Sequence, residues 1–506
     1  MNFLQKTLAK LFKLTPKKRA NRRYAAASQG NSLSGWTPYT TSADANIWSG
    51  LRIIRVRARD LYDNDPWIKA MLKGITTNVV KTGIRFQSKV KMRRKDDYDI
   101  PLNQRIQATW EAWAENPAWC HTAGKLDIYE MQRIITSSEF IAGEILIRFV
   151  YQSFGGSPIP LALELIEADQ LDDRYTVRVS QETGNQIRMG VELDNWLRPQ
   201  AYWILPNHPG DIYFSSTKVQ PERVSANDII HFLSPEGMRP GQTRAVSPLH
   251  AVMMRAHNLG GYEEAEIVKS RMQANVSAFI ESEFEDADQE DEDGNPVEYF
   301  EPGLIRKLLP GEKFSGFNPT SPNPNLIDFV KHFLRAISAG MDVSYYTTTG
   351  DYESTNFSSV RAALINERDN FKITQDRLIR KFLKPVYHKW LDIAYLSGAL
   401  SLPGYEVDPS FYRQDAWYGA GWQWVDPLKD IQASQLALNI GLTTVTKELA
   451  SLGYDLEDVL AEKQREKKLY EKFGIPYTFG EIPQQQPPPI QEDEPPTDKK
   501  PKKVGF

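Results

Sequence analysis

Side chains able to do chemistry are plentiful in this chain, but few stand at the spacing that chemistry requires. There is no G-x-x-x-x-G-K-[ST] loop to cradle a nucleotide's phosphates; Gly124-Lys125 is followed by Leu126 and lacks the upstream glycine. There is no H-E-x-x-H and no G-x-S-x-G. Cys120 and His121 are adjacent, and neighbours along a chain rarely converge on one point. His250 and His257 lie seven apart on a predicted helix, two turns from each other and too far to share a metal. No catalytic residue, metal site or cofactor is expected.

Charged and polar clusters remain. Glu281, Glu283, Glu285, Asp286, Asp288, Glu290, Asp291, Glu292 and Asp293 form an acidic run with no basic residue inside it. It lacks the glycine and terminal glutamate of a calcium loop, so it reads as a solvated acidic loop. Arg52, Arg55, Arg57 and Arg59 form a basic cluster, with 52, 55 and 59 on one side of a helix. Both a face paired with nearby acids and a phosphate or subunit contact are open for it. Lys331, His332 and Arg335 lie off the apolar stripe of another predicted helix. Residues 347–359, TTTGDYESTNFSS, read as a polar loop.

The chain has 506 residues, of which 25% are charged, with a net charge of −4 and one cysteine. A single core stops growing at about 250–300 residues, so at least two domains or an elongated subunit are expected. The 41% apolar content excludes wholesale disorder. The lone cysteine excludes a disulfide framework and fits a reducing compartment. A slightly acidic balance argues against gripping nucleic acid with the whole surface. The best apolar stretch, 140–151, is broken by Glu144 and Arg148 and falls short of the ~20 residues of a membrane span. The first residues, MNFLQKTLAKLFKLTPKKRANRR, read as an amphipathic basic arm.

Helical periodicity runs from Asp44 to Lys81, with Asp65-Pro66 as a helix start and Gly83 as a stop. A helix fits 103–115, where Ile106, Trp110 and Trp113 share a face. From Phe140 to Phe232 the period changes. ILIRFVY, LALELIE, YTVRVS, IRMGVEL and QAYWIL predict five or six mostly antiparallel strands. Helices return at Ser247-Pro248 and again after Pro324, where Leu326, Phe329, Val330, Phe333, Leu334 and Ile337 form a stripe. They flank residues 274–321, which read as a small β insertion carrying the acidic run. A long helix after 359 should kink at Pro385, and 427–473 is helical. The end, from Pro483, has a disordered composition.

Several segments, taken in order, resemble the lambda-type portal proteins of tailed bacteriophages. RARDLYDNDPWIKAMLKGITTNVVKTGI (57–84) is similar to that family's early helical segment, and GVELDNWLRPQAYWI (190–204) to its β-hairpin signature. IIHFLSPEGMRPGQTRAVSPL (229–249) resembles its entry into the first stem helix. GDYESTNFSSVRAAL (350–364) resembles the loop and helix after the second. DPLKDIQASQLALNIGLTTVTKELASLGYD (426–455) resembles its C-terminal helices. The resemblance implies an α+β fold with a β-rich and helical wing, a helical stem, a small β clip and a helical crown, assembled as a ring. By segment these are a basic arm (1–43), wing (44–246), stem helix 1 (247–273), clip (274–321), stem helix 2 (322–346), tunnel loop (347–359), wing helix and aromatic segment (360–428), crown (429–475) and a disordered tail (476–506).

The resemblance further implies a homo-oligomeric ring, typically of twelve copies, at one capsid vertex of the virion, assembled in the host cytoplasm. Double-stranded DNA would pass through it in packaging and ejection. The implied partners are the terminase large subunit, major capsid and scaffold proteins, and head-completion or tail connector proteins. The DNA-facing candidates are Thr347, Thr348, Thr349, Asp351, Tyr352, Ser354 and Asn356 in the tunnel loop. Short neutral groups there touch phosphates without holding them. Lys331, His332 and Arg335 either line the channel or pair with the next subunit's carboxylates. The acids at 281–293 either dock basic partners or merely solubilise the loop. The alternatives to this reading are a metal-dependent nucleic-acid-processing enzyme and another virion connector ring protein.

Overall fold

The computed structural model describes residues 39–93, 97–211, 220–275, 279–282, 312–315, 325–353, 356–419, 421–422 and 427–477. Residues 1–38 of the basic arm, the acidic residues from Glu283 to Asp293, Ser354 and the tail from 478 on lie outside the described residues.

The first helical stretch is three helices: α1 (Ala43–Trp48), α2 (Leu51–Asn64) and α3 (Pro66–Val80). Asp65 Oδ1 accepts from the backbone N–H groups of Trp67 and Ile68, both at 2.9 Å, as the Asp-Pro pair predicts. A short strand β1 (Arg85–Ser88) leads to α4 (Ile100–Ala114), where Ile106, Trp110 and Trp113 are all buried. After the one-turn α5 (Pro117–Cys120), burial, aided by Asp127, pushes the Cys120 thiol up to about 12, so it is no nucleophile. Helix α6 (Ile128–Ala142) opens with a capping box between Asp127 and Glu130. It stops at Gly143, where φ is +85° and an added Cβ would lie 2.4 Å from the carbonyl carbon of Val246.

Seven strands follow: β2 (Glu144–Val150), β3 (Ala162–Glu167), β4 (Gln186–Arg188), β5 (Val191–Leu193), β6 (Pro199–Ile204), β7 (Glu222–Ser225) and β8 (Ile229–Leu233). They form two antiparallel sheets, ordered β3-β2-β8 and β4-β5-β6-β7. Leu146, Ile166, Leu171, Val191, Leu193, Tyr202, Ile204, Val224 and Ile229 join the two in one core. Two expectations need correcting. YTVRVS keeps only a bridge from Val177 to Ile187. IRMGVEL is a hairpin, because Met189 and Gly190 both take positive φ. A methionine gives no turn signal in a sequence.

A 3₁₀ turn at Pro248–Ala251 precedes α7 (Met253–Asn275). Strands β9 (Phe279–Ser282) and β10 (Glu312–Ser315) pair antiparallel, as the β insertion predicts. Then come α8 (Leu326–Gly340), α9 (Tyr345–Thr349), α10 (Phe357–Leu378) and α11 (Lys384–Leu396). The disturbance expected at Pro385 is a π turn at Ile379–Leu383. Proline cannot donate to the carbonyl four residues back and its ring crowds it, and a wider turn relieves both. The last elements are β11 (Asp415–Tyr418), α12 (Pro427–Asn439), α13 (Val445–Ser451) and α14 (Leu456–Lys472).

The chain divides into two compact units, one holding the residues up to Asn78 and Trp113–Ala399, the other Val79–Ala112 and the residues from Leu400 on. In the second unit β1 pairs antiparallel with β11. Phe86, Trp110 and Trp417 pack their rings together at 5.3–6.0 Å. Lys89 reaches Asp455 at 2.9 Å, and the Tyr418 hydroxyl donates to the same carboxylate at 3.0 Å. No residue of α12 or α13 is buried.

In the first unit the centre is ionic. Glu144 is fully buried at the start of β2. Its Oε1 takes the Arg244 Nε bond at 2.7 Å and a bond from Arg55 on α2. Its Oε2 takes the Ala245 N–H at 3.2 Å and lies 3.0 Å from His231 Nε2 on β8. Arg244 spends its remaining donors on the carbonyls of Ala168, Leu171 and Met189 at 2.7–3.2 Å. Burial alone would raise the Glu144 carboxyl, but Arg244 and Arg55 override it and hold it well below the carboxylate range. Burial lowers Arg55 to about 10, and Glu144 restrains the fall. Three of the four arginines read in the sequence are thus paired within the chain: besides Arg55, Arg52 meets Asp173 at 2.8 Å, and Arg59 meets Glu167 at 3.1 Å and also Asp169.

Glu144→Gln would leave two guanidiniums buried without their counter-charge. It is expected to cost about 3–5 kcal/mol, read as a lowered urea midpoint. A second buried carboxyl, Glu139 on α6, bonds Arg377 on α10. Burial, with Glu236 nearby, lifts it to about 7 despite Arg377. Because the folded value is raised above the unfolded one of about 4.3, the folded state binds the extra proton between them. Stability contributed by this group therefore falls as pH rises through that window. Calorimetry of Glu139→Gln should show a flatter pH dependence there than the parent.

Candidate nucleic-acid interface

The candidate DNA-facing residues gather on α8 and the segment that follows it. Ser344 caps α9, its side chain accepting the Thr347 N–H at 3.1 Å, and Gly350 closes the helix at φ +68°. This corrects the expected loop: residues 345–349 are one helical turn, and of its described residues 350–353 and 356 lie outside helices. The run of threonines looked loop-like by composition, but a serine cap and a left-handed glycine five residues past the helix start are helix punctuation.

The helical turn redirects the threonines. Thr348 is 2% exposed and accepts a bond from the Ser338 hydroxyl of α8 at 2.8 Å. Thr347 donates to Glu367 of α10 at 2.7 Å. Thr349 donates to the Tyr345 carbonyl at 2.8 Å. So Thr347 and Thr348 are committed to packing, contrary to their expected outward role. Asp351 and Tyr352 lie past the turn; the Tyr352 ring is 53% exposed and stacks on Tyr346 at 5.7 Å. Asn356 caps α10, accepting the Ser359 N–H at 2.8 Å.

On α8, Leu334 and Ile337 of the apolar stripe are buried, whereas Phe329 and the adjacent Ile327 are exposed. Lys331 Nζ stands 3.3 Å from Asp351 Oδ2 of its own chain. Tyr345 donates its hydroxyl to that oxygen at 2.9 Å. The Tyr345 hydroxyl bond, ahead of the Glu353 N–H and Lys331, holds the Asp351 carboxyl below its usual range. The Arg335 guanidinium lies 5.6 Å from the Tyr345 ring centre. His332 is exposed, edge-on to Phe333 at 6.1 Å. Of the acidic run, only Glu281 falls within a described strand, its backbone opposite Lys313.

Glu367, Tyr345, Ser344 and Ser338 were missed by sequence reasoning. Nothing in local spacing marks Glu367, because its partners lie 20 and 23 residues away. Elsewhere among the described residues, Glu167, Asp169 and His208 converge as metal ligands could. The Arg59 guanidinium already bonds both carboxylates, so the charge there is met by the chain itself. No helix among the described residues is long and apolar enough to cross a membrane.

Comparison with known proteins decides what kind of molecule this is. The family model for the phage portal protein, lambda family, matches residues 29–375. The chain belongs to the lambda family of phage portal proteins. It is 28% identical over 472 residues to a probable portal protein of Halomonas phage phiHAP-1, covering 91% of this chain and 89% of that one. It is 20% identical over 471 residues to portal protein B of Escherichia phage lambda, covering 86% and 87%. Among solved structures it is similar to a chain in the neck of an empty gene transfer agent particle. That match has a TM-score of 0.40 and 14% identity, over 80% of this chain and 94% of that one. Portal proteins are structural components of the virion at the capsid vertex, and the chain is accordingly no enzyme.

Glu367→Ala removes the acceptor for the Ser344 N–H, the Ser344 hydroxyl and the Thr347 hydroxyl. Amide hydrogen exchange across 344–352 is expected to speed up, with a stability loss of about 1–3 kcal/mol.

Proposed function

We propose that the chain is the subunit of a ring of about twelve copies that conducts double-stranded DNA through one capsid vertex during packaging and ejection. The observation that carries this is the family match through 29–375, together with the two helices α7 and α8 flanking the β9–β10 pair. In this reading α7 and α8 belong to the stem, β9–β10 to the clip, residues 347–359 are the tunnel loop and 429–475 the crown. The wing is the two-sheet region with α10.

Exposed apolar side chains support assembly. Met254 and Ile267 on α7 and Ile327 on α8 are each more than half exposed. A helix pair that leaves such residues uncovered suits burial against a second copy. In this reading the energy for translocation comes from a separate ATPase, the terminase large subunit. The acids at 281–293, repeated around a ring, would offer basic partner surfaces a negative rim.

Class averages of the purified protein by electron microscopy test the assembly; a ring of about twelve subunits with a central hole is expected. A stable monomer at high concentration would overturn it. In particles carrying Asn or Gln at Glu285, Asp286, Asp288 and Glu290, partner docking should weaken and packaging should drop. Normal packaging would remove the docking role from this loop.

A further inference from the structure

On one side of α8 two cations stand beside a single carboxylate, and one of them pairs with it. Lys331 Nζ lies 3.3 Å from Asp351 Oδ2, and the Tyr345 hydroxyl donates to the same oxygen at 2.9 Å. Arg335, one turn along, rests on the Tyr345 ring and has no carboxylate partner among the described residues. The cluster therefore holds an excess of positive charge. An ammonium and a hydroxyl already converge on one anionic oxygen, and that donor pair suits a phosphate oxygen equally well.

We propose that Asp351 is a built-in stand-in for a DNA phosphate, masking an anion site made by Lys331, Tyr345 and Arg335 until a passing phosphodiester displaces it. The proposal rests on the conduit reading and adds to it how cations beside the passage avoid gripping the polyanion. Two observations make the exchange physically cheap. The ion pair is partly open to solvent, with both side chains about a quarter exposed, and such pairs hold weakly. The moving part is also small. Thr347 and Thr348 stay anchored through Glu367 and Ser338, while Gly350, already left-handed, separates them from Asp351. A permanently exposed Lys–Arg pair in every subunit would bind the backbone and slow it; a masked pair binds only as fast as it releases.

The test uses purified full-length rings and a short blunt DNA duplex, followed by fluorescence anisotropy at several salt concentrations. D351N should bind about tenfold more tightly than the parent at low salt, the gain of one charge-assisted contact. Its salt dependence should steepen by about one unit of slope for each site engaged. Adding Lys331→Gln to D351N should return the affinity to the parent's. Adding duplex to the parent should speed amide exchange at 350–353 and leave 345–349 unchanged. Affinity of D351N within twofold of the parent, in rings that look intact by electron microscopy, overturns the mask. DNA packaging reports separately on the conduit reading. Normal packaging with unchanged D351N affinity removes only the mask. An affinity gain in D351N with a parent that never packages keeps the anion site and removes the conduit.

Discussion

A carboxylate sealed from water must find full compensation or lose its charge, and Glu144 imposes that demand on the whole first unit. Its four bonding directions are met by two guanidiniums, an imidazole and a backbone amide drawn from α2, β8 and the Arg244-Ala245 segment. The guanidinium donors not used on Glu144 then fix the carbonyls of Ala168, Leu171 and Met189. Those carbonyls belong to the turns that lead out of β3 and between β4 and β5. One ionic group thereby sets where the first helices, both sheets and the entry to α7 sit. Ionic networks of this kind add little net stability over a well-packed apolar core, but they tolerate few alternative arrangements. For a subunit of the proposed ring, a single arrangement matters more than a deeper well.

The segment between α8 and α10 shows the opposite use of polar groups. Its first half is tied by the buried Ser338–Thr348 bond and the half-buried Thr347–Glu367 bond. Its second half is tied through Asp351 at the surface, where solvent and salt compete with every contact. A rigid anchor and a yielding tip thus share seven residues. The division comes from burial alone, since the residue types on the two sides are similar.

Charge distribution follows the same logic along the chain. The acidic run, the basic arm and the small net charge leave the portal subunit nearly balanced overall. The cations of α8 fit that balance only because Asp351 lies against Lys331. Composition could not have shown this, because a net charge says nothing about which charges meet.

The sequence by itself determined the class of the molecule and most of its elements. Asp65-Pro66 fixed a helix start, Trp110 and Trp113 a buried face, and Leu334 and Ile337 the inner side of α8, because capping and periodicity act over a few residues and are written locally. The β insertion between two helices was legible for the same reason. Tertiary structure alone decided the rest. It turned Arg55 from a surface cation into a buried one, folded Met189-Gly190 into a hairpin, and made a helical turn of threonines that composition had placed in a loop. It also brought Glu367 to Thr347 and Asp351 to Lys331. The burial of Arg55 and the pairings of Glu367 and Asp351 depend on partners roughly twenty to ninety residues away, and no local pattern encodes which distant side chain will supply the missing charge or hydrogen bond.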